Sequence, residues 1–346
     1  MTCHLTASYD FEISDAAIAQ AVADNRLLTM EIEFSLRCNF RCPYCYVPAE
    51  QDFKSELTVA QIRDVLVQAR DLGVRRIIIL GGEPSLYPHI REMIDFVRNQ
   101  GMDAEMFTNG SGITPDFARW LFDRNVRVVL KMNSFDPVLQ DRLTGTPGSW
   151  KIIAHALDRL KLAGYPSEHA FLAVSTIICR QNYPELPRLW SWLRDQNIAP
   201  YFEIITPQEN AAKSPWLTVD TPALERMFET LSAIDRNQYG RTWKIQPPLV
   251  GNRCLRHQFS CLVTATGNVT PCVGVPLSLG NIRKVPLRQI IETSPVMKDL
   301  KNYRQTIKGP CRQCDMAPGC YGCRGAAYQI TGDYLASDPL CWRNGK

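Results

Sequence analysis

The chain has 346 residues, 39 Lys+Arg against 35 Asp+Glu for a net charge of +4, and 45% hydrophobic residues. Such a length suggests about two domains with a sizeable core. Its 13 Phe, 12 Tyr and 7 Trp exclude a disordered chain, and so small a charge argues for neither nucleic acid nor an anionic membrane as partner. No apolar run approaches the roughly 18 residues of a membrane span, and the opening MTCHLTASYDFEISD lacks the pattern of a signal peptide. A cytoplasmic protein is therefore expected. The 13 cysteines stand out: an odd number cannot all be paired, and a reducing compartment points to metal or catalytic use.

Residues 1–27 read as an N-terminal extension. The run LTMEIEFSL (28–36) reads as a strand, and 58–73 as a helix with apolar Val59, Ile62, Val65, Leu66 and Ala69 on one face. RRIIIL (75–80) is a buried strand, and the helix around 89–101 ends at a glycine. Strands at 103–108, 126–132, 171–178 and 200–206 then alternate with helices at 114–125, 149–164 and 185–197, before a last helix at 223–237. This alternation argues for an α/β domain over 28–240, a parallel sheet with helices outside. Six strands fall short of the eight that close a barrel. RTWKIQPPLVGN (241–252) reads as a linker by its prolines and loss of periodicity, and it opens a second domain, 241–346, dense in cysteine.

Three cysteines follow the first strand as Cys38-Asn-Phe-Arg-Cys42-Pro-Tyr-Cys45. They lie on the carboxyl-end rim where α/β active sites form. Three thiolates so close together wrap three corners of a cubane cluster, which normally takes four cysteines. With no fourth nearby, one iron is left for a non-protein ligand. Zinc, which wants two pairs, fits this odd loop poorly. The second strand ends in Gly81-Gly82-Glu83-Pro84. Glycines allow close backbone approach to a ligand, and a carboxylate suits an ammonium.

The C-x3-C-x2-C loop with Tyr44 before its third cysteine, followed at the next strand end by Gly81-Gly82-Glu83, resembles the radical S-adenosylmethionine (SAM) superfamily. The resemblance implies a partial (β/α)6 TIM-like barrel. It implies that Cys38, Cys42 and Cys45 hold a [4Fe–4S] cluster and that SAM binds the fourth iron, its amino group at the GGE motif. Reductive cleavage then gives a 5′-deoxyadenosyl radical that abstracts a substrate hydrogen. By the same resemblance the Tyr44 backbone faces the adenine, and Thr108-Asn109-Gly110 closes the third strand. The fourth strand end has Lys131-Met132-Asn133-Ser134 where the family often shows S-L-D-G. Lys131 is either a SAM or substrate contact or a lysine snorkelling from a strand end. Asn182 is either a SAM contact or a loop cap.

Eight cysteines fall in the second domain, in the spacings Cys254-x12-Gly267-x4-Cys272, with Cys261 between, and Cys311-x2-Cys314-x5-Cys320-x2-Cys323-x17-Cys341. Eight make two sets of four, enough for two fully ligated cubanes; zinc is the alternative, because CxxC pairs are ordinary zinc formers. The arrangement resembles the SPASM extension of radical SAM enzymes, a small cysteine-rich α+β domain. It departs once, with two residues rather than three before Cys323. The resemblance implies that Cys254, Cys261, Cys272 and Cys323 hold auxiliary cluster I, and Cys311, Cys314, Cys320 and Cys341 auxiliary cluster II. The expected cofactors are therefore three [4Fe–4S] clusters and SAM, and the expected electron donor is of flavodoxin or ferredoxin type.

Auxiliary clusters that carry electrons make the chain an oxidoreductase, with dehydrogenation of a small molecule such as a sugar or alcohol the favoured reading. A sulfatase maturase would carry an aspartate after Cys272, where Val273 stands. A peptide-modifying maturase is the first alternative. It often has a leader-binding domain before the barrel, and only about 27 residues precede the first strand here. Cys3 and Cys179 remain outside the cluster sets. Cys179 follows the fifth strand, where it is either a hydrogen donor for redox-neutral epimerisation or an inert buried thiol. A non-catalytic iron–sulfur electron carrier is the non-enzyme alternative. Asp136, Glu203, Gln208, Glu209 and Asn210 are strand-end candidates for substrate contact. Among His4, His89, His155, His169 and His257, only His257 lies near a cluster motif.

Overall fold

The computed structural model describes residues 13–48 and 50–345. Cys3 and His4 lie outside the described residues. Chain order runs α1 (Asp15–Ala23), β1 (Thr29–Glu33), α2 (Val59–Asp71), β2 (Arg76–Leu80), α3 (Ile90–Asn99), β3 (Asp103–Thr108), α4 (Pro115–Asp123), β4 (Arg127–Lys131), α5 (Pro137–Thr144), α6 (Ser149–Ala163), β5 (Leu172–Ile178), α7 (Leu186–Asp195), β6 (Ala199–Ile204) and α8 (Thr221–Tyr239). The first six strands are parallel and lie in the order β6-β5-β4-β3-β2-β1. This is the partial barrel that six strand–helix units imply.

Helix boundaries follow local chemistry. Thr58 and Gln61 form a reciprocal cap at the start of α2, and the Asp136 carboxylate accepts the Leu139 N–H at 2.8 Å to start α5. Asp136, expected as a substrate contact, is thus a helix cap. Helix α5 escapes a reading by periodicity because it is a short segment with buried Gln140 and Thr144 among its inward residues.

The cysteine-rich part continues the barrel sheet. β7 (Leu262–Val263) pairs in parallel with β1, and β8 (Asn268–Thr270) and β9 (Gly280–Asn281) follow antiparallel. The 241–252 segment, expected as a linker, lies against the other edge. The Ile204 N–H donates to the Pro248 carbonyl at 3.0 Å, and the Val250 N–H to that of Phe202 at 2.9 Å. Trp243 packs on Trp190, and both indoles donate to the buried Asp235 carboxylate. Residues 249–262 therefore cross from the β6 edge to the β1 edge, spanning the gap of the incomplete barrel. Short helices α9 (Leu287–Thr293) and α10 (Pro295–Lys301) and a final helix Arg324–Thr331 complete the chain.

Candidate active site

Side chains alternate across a strand. On β1, Met30 and Ile32 enter the main core under the helices, while Glu31 and Glu33 face the barrel interior. The inner faces enclose one cavity of about 380 Å³, open to solvent on one side. Cys38, Cys42, Cys45, Gly81, Gly82 and Glu83 line one part of it, and Cys254, Cys272 and Cys323 another.

The three-cysteine loop is held by its own backbone and by two neighbours. Glu56 accepts from the Ser35 hydroxyl at 3.0 Å and the Leu36 N–H at 2.8 Å. Arg41 donates to the carbonyls of Cys38 at 2.7 Å and Phe40 at 2.8 Å. Burial pushes the Cys38 thiol up to about 11 and the Cys42 thiol up to about 12, with Cys45 raised too. Thiols gathered so closely ionise readily only with a compensating cation, which suits an iron–sulfur cluster. Among the described residues no three Cys, His, Asp or Glu side chains converge at single-ion spacing.

The glycines of the GGEP turn serve the protein before any ligand. A Cβ on Gly82 would sit 2.1 Å from the Arg37 carbonyl oxygen, and one on Gly81 (φ +117°) 2.3 Å from that of Ser35. The close approach lets the Gly82 and Glu83 N–H groups donate to those carbonyls at 2.9 and 2.8 Å. Glu83 is buried, and its carboxylate accepts from Ser85 N at 2.9 Å and from Ser85 Oγ, Thr108 Oγ1 and Asn109 N, each at 2.5 Å. Burial raises its pKa against these four donors. Glu83 and Thr108 thus tie the ends of β2 and β3 together beneath the cysteine loop, and Pro84 starts the turn that follows. Lys131 reaches the cavity, donating to Ser175 Oγ at 2.8 Å and pairing with Glu203 at 3.2 Å.

The remaining sequence-predicted residues divide between the cavity lining and the packing around it. Asn182 is fully buried and does not line the cavity. Its Nδ2 donates to the carbonyls of Asn133 at 2.9 Å and Ile177 at 2.8 Å, and its Oδ1 accepts from Cys179 N at 3.0 Å, so it caps the loop. Cys179 packs with Leu143, Ile177 and Leu217 and points its thiol at Asn182 Oδ1, 3.3 Å away, outside the cavity. Tyr44 turns its ring into the same small core, and its hydroxyl accepts from Asn133 Nδ2 at 2.8 Å, leaving its backbone at the cavity. Asn210 stands behind the cysteine loop, its N–H on the Cys45 carbonyl at 3.3 Å. Gln208 lines the cavity. Glu209 adopts a left-handed φ of 48° in the same turn. His89, His155 and His169 are exposed.

The sequence reading missed the charged wall between the two cysteine sets. Arg256, on the crossing segment, donates to the buried Glu31 and, at 3.4 Å, to the Tyr201 hydroxyl. Burial raises the Glu31 carboxyl and Arg256 opposes that; Glu31 in turn holds Arg256 well above its ordinary value. Glu33 accepts from Tyr46 OH and Ala265 N, both at 3.0 Å. Glu105 pairs with Arg127 at 2.7 Å, with Arg76 3.9 Å away. The signal was present: MEIE in β1 places a carboxylate at every second residue of a buried strand, and an inward charge in such a strand marks a polar interior.

In the C-terminal part, Cys272 and Cys323 feel each other and Cys254, and burial pushes both up to about 12. Their approach depends on two glycines: a Cβ on Gly274 would lie 2.7 Å from the Gly325 Cα. Cys261 is not with them. It is fully buried in the main core and absent from the cavity lining, and the charges bearing on it are Glu31 and Lys301. Cys261 thus lies apart from the other three cysteines expected in the first auxiliary set. Cys311, Cys314, Cys320 and Cys341 form a separate group away from the cavity. Cys311, Asp338 and Cys314 bear on Cys320, and Asp338, Cys311 and Cys320 on Cys341. Backbone N–H groups of Asp338 and Gly322 approach the sulfurs of Cys311 at 3.4 Å and Cys320 at 3.3 Å. His257 is buried between the sets, its Nδ1 2.9 Å from Tyr321 OH, and burial with two nearby arginines pushes it down to about 3.

A cysteine triplet and a glycine turn at adjacent strand ends of a partial barrel, facing further cysteines across one cavity, define a SAM-cleaving class of protein. The Radical SAM superfamily model matches residues 32–191 and the SPASM iron–sulfur cluster-binding domain model residues 254–315. A PqqA peptide cyclase from Streptomyces rochei is 30% identical over 335 residues, 90% of this chain and 88% of that one. An AdoMet-dependent heme synthase from Methanosarcina barkeri is 24% identical, over 91% of this chain and 96% of that one. In fold the chain is similar to Streptococcus suis SuiB bound to its precursor peptide SuiA, with a TM-score of 0.69 at 16% identity, covering 94% of this chain and 78% of that one. The chain belongs to the radical SAM superfamily, with a SPASM domain, and binds SAM and iron–sulfur clusters. No described helix is long and apolar enough to cross a membrane.

Proposed function

We propose that the chain is a radical SAM oxidoreductase that modifies a precursor peptide, removing two hydrogens to form a cross-link or other oxidised product. The identity to a PqqA peptide cyclase across 90% of this chain carries the reading. Dehydrogenation of a sugar or alcohol, the favoured expectation from the sequence, draws no support from the relatives above and gives way to the peptide alternative. Epimerisation through Cys179 also loses its basis, because that thiol points away from the cavity.

In this reading Cys38, Cys42 and Cys45 hold the cluster that SAM completes, and Gly81, Gly82 and the Tyr44 backbone shape the pocket around SAM. Bound SAM supplies a 5′-deoxyadenosyl radical on one-electron reduction by a flavodoxin- or ferredoxin-type donor. The protein's own work is positional. Glu83 and Thr108 fix the turn beneath SAM, and the Lys131–Glu203 pair meets polar groups at the rim. Glu31, which lines the cavity and is hydrogen-bonded by Arg256, is the carboxylate placed to take the proton that leaves when the substrate is oxidised. The C-terminal cysteines would hold the clusters that accept the surplus electron.

The test is anaerobic incubation with SAM, dithionite and precursor peptides encoded beside the gene. Formation of 5′-deoxyadenosine with loss of two hydrogens from one peptide is expected. A second reading, a heme-forming enzyme, is favoured by the alignment over 96% of the M. barkeri heme synthase. A tetrapyrrole product with every peptide unchanged would replace the first reading by the second.

A further inference from the structure

We propose that Arg76, at the floor of the cavity, binds a carboxylate of the substrate, and that the cavity admits a molecule whose apolar body ends in that carboxylate. The inference deepens the proposed function and rests on its reading of the cavity as the substrate site.

The inner face of β2 lays out the site. Ile77 and Ile79 enter the main core, so Arg76, Ile78 and Leu80 share the opposite face and line the cavity. Gly82 follows at the SAM end. At ~3.3 Å per residue, the stretch of β2 from Arg76 to Gly82 spans roughly 20 Å. Between the two ends the wall is apolar. Ile78 and Leu80 stand on β2, and Phe107 of β3 meets Tyr201 of β6 edge to face, with 5.8 Å between ring centroids. The cavity therefore has a SAM end and a cationic end, separated by a surface that suits carbon.

The cation at the floor lacks a close partner. Arg76 Nε is buried with no hydrogen-bond partner among the described residues, and the Glu105 carboxylate lies 3.9 Å from Nη1. Glu105 is already engaged by Arg127 Nε at 2.7 Å. Asp103, beside Arg76 on β3, pairs with Arg98, and Glu31 pairs with Arg256. Arg76, Arg127 and Arg256 thus share two buried carboxylates, Glu31 and Glu105, which leaves one positive charge uncompensated. Burial lowers the Arg76 pKa, with Glu105 opposing the shift and Arg127 adding to it. A cation held this way away from water is costly without an anion. The guanidinium fork matches a carboxylate through two parallel N–H bonds. A single surplus charge suits a monoanion better than a phosphate monoester, which carries nearly two. A peptide offers such a group on Asp, on Glu or at its chain end.

The experiment uses the full chain, reconstituted anaerobically with its clusters and held with saturating SAM and no reductant. The probes are 4-phenylbutyrate and its neutral amide, compared by the rise each gives in the thermal midpoint. The acid is expected to bind about tenfold tighter than the amide, the size of one charge-assisted contact. Arg76→Gln should remove that preference without changing the affinity for SAM, and Arg76→Lys should keep part of it. Arg76→Met, which keeps most of the side-chain length, replaces the Gln variant if that one misfolds. Equal binding of acid and amide, or no binding of either, overturns the proposal. So does a preference that survives Arg76→Gln, or one that disappears with Arg256→Gln alone, which would put the anion on the other arginine. The proposed function fails separately. In a peptide that the chain converts, replacing the carboxylates one at a time by amides should raise KM about tenfold at one position and leave kcat unchanged. A converted peptide whose amides all react equally well overturns this inference and leaves the function standing. An acid–amide contrast that depends on Arg76, with no peptide converted, does the reverse.

Discussion

At the scale of single residues, a motif places a side chain near a strand end but not the direction in which it points. The Cys38–Cys42–Cys45 spacing was legible because three sulfurs within one loop have few other uses. Position after a strand says nothing of rotamer: Cys179 and Asn182 both turn into the protein and hydrogen-bond to each other. Replacing Cys179 with Ala should leave product formation within about twofold of the native rate while costing on the order of 1 kcal/mol in stability; a product yield that collapses while SAM cleavage continues would restore it as a hydrogen donor. Glu83 behaves oppositely. Truncation to Ala strands the Ser85, Thr108 and Asn109 donors, so a loss on the order of 3 kcal/mol is expected together with loss of 5′-deoxyadenosine formation. An inactive but equally heat-stable Glu83→Ala variant would show that the carboxylate serves SAM and not the turn. Glu33 carries a pH signature. Burial raises its pKa above the usual 4.5, so the native state holds an extra proton, and the resulting stability is full below about 4.5 and is lost as pH rises through the raised value. Glu33→Gln lacks that loss, so its thermal midpoint should gain on the native chain as pH rises above the usual carboxylate value; a constant difference would contradict the shift.

Among the elements, helices and parallel strands were readable from their periods, and their bounds fell within a few residues of the structure. The crossing segment was not. Its prolines and irregular pattern resemble a linker, yet the edge of β6 supplies the partners that its own sequence does not advertise. It carries Cys254, Arg256 and His257 into the cavity, which is why the charged wall went unread. Along β7 the alternation of Cys261, Leu262 and Val263 turns Cys261 toward the helix-packed core, a direction that a cysteine count does not carry. Glycine contacts set the closeness of elements. Gly274→Ala would drive a methyl group toward the Gly325 Cα, parting Cys272 from Cys323. The expected result is loss of about four irons per chain with SAM cleavage still detectable; unchanged iron would mean that the two loops can separate without releasing the cluster.

For the whole molecule, one cavity links the two cysteine sets along the inner face of β1, where Glu33 bears on Cys45 and Glu31 on Cys272. A single strand thus touches both redox centres of the proposed reaction. Three cubanes predict about twelve irons and no zinc in the reconstituted chain; four irons with zinc would assign the C-terminal cysteines to a structural metal instead.

The pairing of β7 with β1 has a consequence for folding. An exposed strand edge is a template for self-association, and both edges of this six-strand sheet are covered by residues that follow Gly240 in sequence. A fragment ending there would display the bare hydrogen-bonding rows of β1 and β6 and should aggregate, whatever its cluster content. The same dependence sets an order of events during synthesis: the barrel is complete only after the crossing segment and β7 have left the ribosome, so iron supplied early meets a half-walled cavity.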